Sequence, residues 1–333
     1  MILVTGATGL VGSHLLVQLL QENEEVKALF RSASQIEQTK KIFEHKNQIA
    51  LFEKINWVKG DITDIPSLEK AFEQVTHVYH CAAVVSFEPK EETLIRKVNI
   101  EGTANIVNCC IDFRIKKLCH VSSIAALGNP KEHETSITEE TEWNPEELHS
   151  DYAITKYGAE MEVLRGHQEG LEVIIVNPGV IFGYGFPKKG SDVIIQSVKK
   201  GLSFYTKGNI GIVSVEDVVK SMIQLMKSNN NGERYTLVGE NISTKTLLDF
   251  IADELKLKKP SIDATKLMTS FAWRMDWLIS KILNRKRKFA RSTATSSHSE
   301  TTFDTSKIER ELNFTFQKKE SYLKTILQER KQV

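Results

Sequence analysis

Apolar, largely β-branched runs alternate along the first half of the chain with stretches whose apolar positions recur at helical spacing. The runs Ile2 to Val4, Val26 to Phe30, Ile55 to Val58, His77 to Cys81, Lys117 to Val121 and Glu172 to Val176 predict strands. Ser13 to Leu20, Ser67 to Val75, a segment ending near Cys110 and another starting at Tyr152 predict the helices between them. Strand and helix in this succession predict an α/β fold with a Rossmann-type, doubly wound parallel sheet. After Asn177-Pro178-Gly179 the rhythm breaks, and glycines 179, 183, 185, 190, 201, 208 and 211 punctuate shorter elements. A helix over Val215 to Met226 and a strand over Tyr235 to Val238 follow, and that strand is able to rejoin the main sheet. The serine- and threonine-rich stretch 292–306 reads as a loop, and no internal repeat is visible.

The first predicted strand runs into Thr5-Gly6-Ala7-Thr8-Gly9-Leu10-Val11-Gly12, with glycines at intervals of three between strand and helix. Gly6 permits a tight turn, Gly9 lets the backbone approach a pyrophosphate, and Gly12 lets helix and strand pack closely. The helix start, with Thr8, Leu10 and Val11 around these glycines, supplies N–H donors and the positive end of the helix dipole. Residues 1–178 plus about 212–240 are therefore expected to bind a dinucleotide. Residues 179–211 and 241–333 are expected to form a smaller, interleaved substrate region. An acid at the end of the second strand would accept hydrogen bonds from the ribose hydroxyls of NAD, but this strand ends Ala28-Leu29-Phe30-Arg31-Ser32. A guanidinium beside a hydroxyl suits a 2′-phosphate, so Arg31 and Ser32 favour NADP(H) over NAD(H).

Composition narrows the partners. The chain has 333 residues, 44 Lys plus Arg against 43 Asp plus Glu, so no overall field attracts nucleic acid. The partner expected is a small-molecule substrate. Cys81, Cys109, Cys110 and Cys119 contain no CxxC pair and read as reduced thiols, and the nine histidines show no ligand spacing, so no metal site is expected. Met1 leads straight into a strand without a charged and apolar leader, and no run approaches the length of a membrane span. The expected location is the cytoplasm.

Tyr152-Ala153-Ile154-Thr155-Lys156 places a phenol and an ammonium four residues apart on one face of a predicted helix. A nearby positive charge favours phenolate and brings the tyrosine toward useful acid/base strength. The same spacing recurs in Tyr184-Gly185-Phe186-Pro187-Lys188, where glycine and proline preclude a regular helix. Only Tyr152 opens a helix downstream of a strand ending Val121-Ser122-Ser123, and ligands bind at strand C-termini in such sheets. Ser123, Tyr152 and Lys156 together form a candidate set that polarises a carbonyl and donates a proton.

With these motifs in this order, the sequence resembles the extended short-chain dehydrogenase/reductase family over nearly its whole length. Gly60-Asp61-Ile62-Thr63-Asp64 is similar to the family's adenine-contacting segment, and His80-Cys81-Ala82-Ala83 to the loop beside the adenosine ribose. Val98-Asn99-Ile100-Glu101-Gly102-Thr103 is similar to its central helix. Asn177-Pro178-Gly179-Val180-Ile181-Phe182-Gly183 is similar to the segment passing the nicotinamide, although many members carry arginine where this chain has Asn177. The resemblance thus adds Asp61, Ile62, Ala82, Ala83, Asn99, Pro178 and Val180 to the expected cofactor contacts. Phe30-Arg31-Ser32, Trp273-Arg274 and Asp304 to Phe314 are most similar to the dihydroflavonol-reductase-like group.

The chemistry implied is hydride transfer from nicotinamide C4 to a ketone or aldehyde, or the reverse from an alcohol. Tyr152 would donate the proton, Ser123 would polarise the oxygen, and Lys156 would hold the nicotinamide ribose and lower the tyrosine pKa. A homodimer through the helices after Asn99 and Tyr152 is also implied. The alternative is a nucleotide-sugar epimerase or dehydratase with tightly bound NAD, but Gly208 to Val215 lacks the arginine that such members usually place there.

Lys266 to Leu283 carries Leu267, Phe271, Leu278 and Ile282 at helical spacing, followed by Arg285-Lys286-Arg287-Lys288. The pattern fits a packed helix with a solvated charged end, a wall of an apolar pocket, or a membrane-surface helix. Trp273 and Trp277, four apart, suit either stacking on a flat substrate or packing.

Overall fold

The structure, a computed structural model, describes every residue except 87, 131–133, 188, 284, 286, 288 and 330–333. In chain order the strands are β1 (Ile2–Thr5), β2 (Val26–Phe30), β3 (Asn56–Lys59), β4 (His77–His80), β5 (Lys117–Val121), β6 (Ser136–Ile137), β7 (Glu172–Pro178), β8 (Val180–Phe182), β9 (Phe204–Tyr205), β10 (Asn209–Ser214), β11 (Glu233–Leu237), β12 (Glu240–Ser243), β13 (Ile262–Asp263) and β14 (Thr302–Phe303). Seven of them form a parallel sheet in the order β11-β7-β5-β4-β1-β2-β3. The expected Rossmann-type sheet is present. Its inner strands are buried on both faces, which is why they read as near-continuous apolar runs.

The strand order reverses between β1 and β4, the switch point at which such sheets bind ligands. Gly6, Arg31, Asp61, Cys81, Ser122 and Gly179 all lie just beyond the C-terminal ends of their strands. On one face of the sheet the helix Leu10–Gln21 buries Leu15, Leu16 and Leu19 in a core shared with Val219 and Met222 of the helix Val215–Lys227. On the other face Leu68, Phe72, Ile106, Val107 and Val163 form a second core.

A three-stranded sheet, β12-β10-β8, starts where the main sheet leaves off, with Gly179 alone between β7 and β8. Its core combines Phe182, Ile195, Ile212, Leu248 and Leu323. Between β10 and β12 the chain returns to the main sheet, where β11 pairs in parallel with β7. The serine- and threonine-rich stretch departs from its loop reading. A helix spans Arg291–Ser296 with Ala294 buried, and β14 pairs with β6. Contacts from distant segments order residues of weak helix propensity there. The four cysteines are free, three of them buried and Cys81 half-buried. Among the described residues no helix is long and apolar enough to cross a membrane. Lys188, the end of the second tyrosine–lysine match, lies outside the described residues, while Tyr184 stacks on His45 with ring centroids 3.7 Å apart.

Candidate active site

Around the turn after β1, Gly6 and Gly12 have no room for a side chain. Gly6 has φ +64°, and a Cβ on it would lie 2.6 Å from Ala82 N. A Cβ on Gly12 would lie 2.3 Å from Gly6 O and 2.9 Å from Ala7 Cα. Gly9 N donates to Gly6 O at 2.9 Å, closing the turn, and no side chain caps the helix that starts at Leu10. The amides of its first turn are therefore left for an anion. Thr8, Gly9, Leu10 and Val11 are only half-buried at this mouth, while Gly12 is buried behind it. This cradle fits a dinucleotide pyrophosphate.

The paired ends of β2 and β3 bring Arg31 and Asp61 together, with Nη1 3.8 Å from Oδ2. Arg31 keeps 54% of its side-chain surface exposed, and such a solvated pair is worth little. The other Asp61 oxygen accepts from the backbone and hydroxyl of Thr63, each at 2.9 Å. Ser32 is exposed and bonds to Ser34 at 2.9 Å. Ile62 is buried beneath Gly102, and its carbonyl accepts from Asn105 Nδ2 at 3.0 Å.

Beyond β4 a buried imidazole sets the next loop. His80 Nδ1 shares a 2.7 Å hydrogen bond with Thr5 Oγ1, and its Nε2 a 3.0 Å bond with Thr103 Oγ1. Burial, with Lys156 adding to it, pushes its pKa down to about 3, so the ring is neutral. Thr5 Oγ1 also accepts from Ala82 N at 3.3 Å, which fixes the Ala82–Ala83 loop above Gly6. Asn99 sits in a π-helical turn, Lys97–Glu101, and is buried. Its Oδ1 accepts from Val84 N at 2.8 Å, and its Nδ2 donates to Val84 O at 3.0 Å and Thr155 Oγ1 at 3.1 Å. It ties the loop after β4 to the helix that carries Tyr152 and Lys156.

That helix, Asp151–Gln168, is capped by Ser150, whose hydroxyl accepts from Ala153 N at 3.1 Å. Ser123 is extended beyond β5, and its hydroxyl accepts from Ala125 N at 3.2 Å. The Ser123 side chain lies close enough to the Tyr152 phenol to pull its pKa down against burial. Lys156 is 1% exposed, and its Nζ donates to Val121 O at 2.8 Å. The structure thus brings the three catalytic candidates to one place. Burial pushes the lysine down to about 8, with Glu160 and Cys81 opposing. The tyrosine departs from expectation. Burial raises its pKa and the Ser123 side chain only partly offsets this, while the lysine ammonium is turned to the Val121 carbonyl.

One turn past Lys156, fully buried Glu160 accepts from Asn177 Nδ2 at 2.5 Å. The same Asn177 amide donates to Ser123 O at 3.0 Å, and Arg234 of β11 holds its Nη1 3.6 Å from Glu160 Oε2. Burial raises the carboxyl's pKa against the pull of Ser122, Arg234, Asn177 and Lys156. Pro178 is buried in β7, and half-buried Val180 opens β8. Among the described residues no group of three His, Cys, Asp or Glu side chains is placed to hold a metal ion.

Residues 2–238 match the model of the NAD dependent epimerase/dehydratase family. The chain belongs to that family. It is 28% identical over 278 residues to a putative dihydroflavonol 4-reductase of Synechocystis sp., covering 81% of this chain and 77% of that protein. It is 29% identical over 254 residues to sterol demethylase protein B of Methylococcus capsulatus, covering 75% and 73%. The crystal structure of gox2253 superposes with a TM-score of 0.81 at 24% identity, covering 100% of this chain and 98% of that one. The resemblance to extended short-chain dehydrogenases, and to their dihydroflavonol-reductase-like group, is thereby borne out. Within this epimerase/dehydratase chain, sequence reasoning missed Glu160 and Arg234. Neither stands in a motif, and the one available signal was an acid exactly one helical turn beyond Lys156. Asn177 was visible only as a departure from arginine; its amide supports the serine segment.

Proposed function

We propose that the protein is an NADP(H)-dependent oxidoreductase that reduces a ketone or aldehyde of a small apolar molecule, or oxidises the corresponding alcohol. The observation that carries the reading is the placing of Ser123 and Tyr152 together beside buried Lys156 at the sheet's ligand-binding edge. The glycine cradle would hold the pyrophosphate, Arg31 a 2′-phosphate, and Lys156 the nicotinamide ribose. The bound cofactor supplies a hydride to the carbonyl carbon, or accepts it in the reverse direction. Tyr152 gives its phenolic proton to the carbonyl oxygen, and the Ser123 hydroxyl donates a hydrogen bond to that same oxygen. A phenol held above its usual pKa stays protonated at neutral pH, the form that donation requires.

Support for an apolar substrate comes from a cavity of about 470 Å3 in the expected substrate region, walled by Leu202, Phe204, Ile210, Leu247 and Met268 and lined by none of Ser123, Tyr152 and Lys156. Ile210 lies on β10, in the segment without the arginine of sugar-nucleotide members, and β10 pairs with β8 directly after Gly179. The name of the Methylococcus relative, a sterol demethylase protein, agrees with such a substrate.

The test is a binding titration of NADPH and NADH, with a carbonyl panel, on the wild type, Arg31→Ala and Tyr152→Phe. Arg31→Ala is expected to lose roughly tenfold or more of its NADPH preference, the size of a charge-assisted phosphate contact. Tyr152→Phe is expected to lower the reduction rate by about 10²–10⁴-fold with cofactor binding retained. Tightly held NAD that co-purifies, with protection by a UDP- or dTDP-sugar, would replace this reading by that of an epimerase or dehydratase.

A further inference from the structure

The helix Lys266–Ile282 is amphipathic the wrong way round. The two residues it buries are polar, Thr269 and Ser280. Thr269 Oγ1 shares a 2.8 Å hydrogen bond with His298 Nε2, and Ser280 Oγ donates to Trp277 O at 2.9 Å. Its large apolar side chains face outward, with Leu267 83%, Phe271 67%, Leu278 43% and Ile282 71% exposed. These four share one face, because positions four, eleven and fifteen residues on return to the same side of a helix. Met275 and Ile279 widen the stripe, and Leu283 continues it past the last turn. A contiguous apolar strip of this kind marks an interaction surface.

Its rim is basic. Lys266, Arg274 and Lys281 flank the stripe, and the sequence continues Arg285-Lys286-Arg287-Lys288, of which Lys286 and Lys288 lie outside the described residues. At the C-terminal end Lys90, Lys281, Arg285 and Arg287 line a cleft of about 310 Å3 together with Glu88 and half-exposed Trp277. The acid of the helix, Asp276, pairs with Arg285 at 2.7 Å and accepts from Phe289 N at 3.1 Å, so it neutralises one arginine of the cleft, whose lining still carries more cations than acids. We propose that this helix docks the protein on an anionic phospholipid surface, its apolar stripe entering the acyl boundary and the basic cleft taking a phosphodiester headgroup. An outward apolar face, a cationic rim and a tryptophan at the boundary are the features of an interfacial helix. A second copy of the chain suits the face less well. Two-fold pairing would set the like-charged rims of two copies along one seam, with Asp276 already engaged by Arg285. The proposal does not depend on which substrate the enzyme reduces.

The experiment is co-sedimentation of the full chain with phosphatidylcholine vesicles with and without phosphatidylglycerol, which needs no substrate. The wild type is expected to sediment with the phosphatidylglycerol vesicles, less so as salt is raised. Phe271→Glu/Ile282→Glu changes two exposed side chains, so it is expected to keep the wild-type circular dichroism melt while losing vesicle binding. Lys281→Gln/Arg287→Gln is expected to lose the preference for anionic vesicles. Absence of sedimentation with either vesicle overturns the proposal, as does binding that these variants leave unchanged. A wild-type dimer that the Phe271→Glu/Ile282→Glu protein fails to form, without vesicle binding, would assign the face to a second copy.

Discussion

At neutral pH the Lys156 ammonium is held inside the protein against the Val121 carbonyl, and burial has brought its pKa down to about 8. The lowered value means that the charge is present below about pH 8 and lost above it. If Lys156 holds the nicotinamide ribose beside Tyr152, kcat/KM for carbonyl reduction should stay level below that pH and fall as pH rises through it. A pH profile in one non-coordinating buffer series checks this, and a level profile beyond pH 9 would remove Lys156 from the role. Asn177 makes a different kind of contribution. It donates to both Ser123 O and Glu160 Oε1, so Asn177→Ala leaves one buried and one partly buried acceptor without that donor. A loss of about 1–3 kcal/mol is expected from one unsatisfied buried group, read as a lower urea midpoint at unchanged slope.

The strand–turn–helix at the N-terminus is the element whose role was most legible. Gly6 and Gly12 announce it by spacing, and the structure shows the reason: a Cβ on either glycine would meet backbone. Gly12→Ala should therefore displace the turn, with a cost of about 1–3 kcal/mol from overpacking, and abolish the thermal shift that either dinucleotide gives the wild type. The parallel strands were equally legible, since double burial writes each as an apolar run. Other elements were not. β6, β9, β13 and β14 are two residues long, too short to carry any periodicity. The helix Arg291–Ser296 hides in a serine-rich stretch because what orders it is contact with the helix Lys266–Ile282, a property of no local window. The same holds at the candidate site. Ser123, Tyr152 and Lys156 were visible as a motif in context, whereas Arg234 reaches Glu160 only because β11 pairs with β7.

At the scale of the molecule, the helix Val215–Lys227 and β11 complete a core that begins at the first residues. Val219, Met222 and Tyr235 pack in one cluster with Leu15, Leu16 and Leu19. The first 178 residues alone would expose that cluster, and they are expected to be insoluble. The full chain should unfold in one transition, with the fluorescence of Trp57 in β3 and Trp273 in the Lys266–Ile282 helix reporting the same midpoint as far-ultraviolet dichroism. Two separated midpoints, tracked with one tryptophan retained at a time, would count against this.

The path of the chain between β7 and β12 has a mechanical consequence. It passes from the seven-stranded sheet to the three-stranded one at Gly179, back after β10, and across again before β12. A pair of lobes joined by one strap can swing apart; these are stitched by three on this stretch alone, the first a lone glycine whose Cβ would lie 2.5 Å from Gly211 O. Entry of a substrate is thus expected to depend on small local shifts of side chains and loops around a seam that stays shut, rather than on a gaping of the two halves.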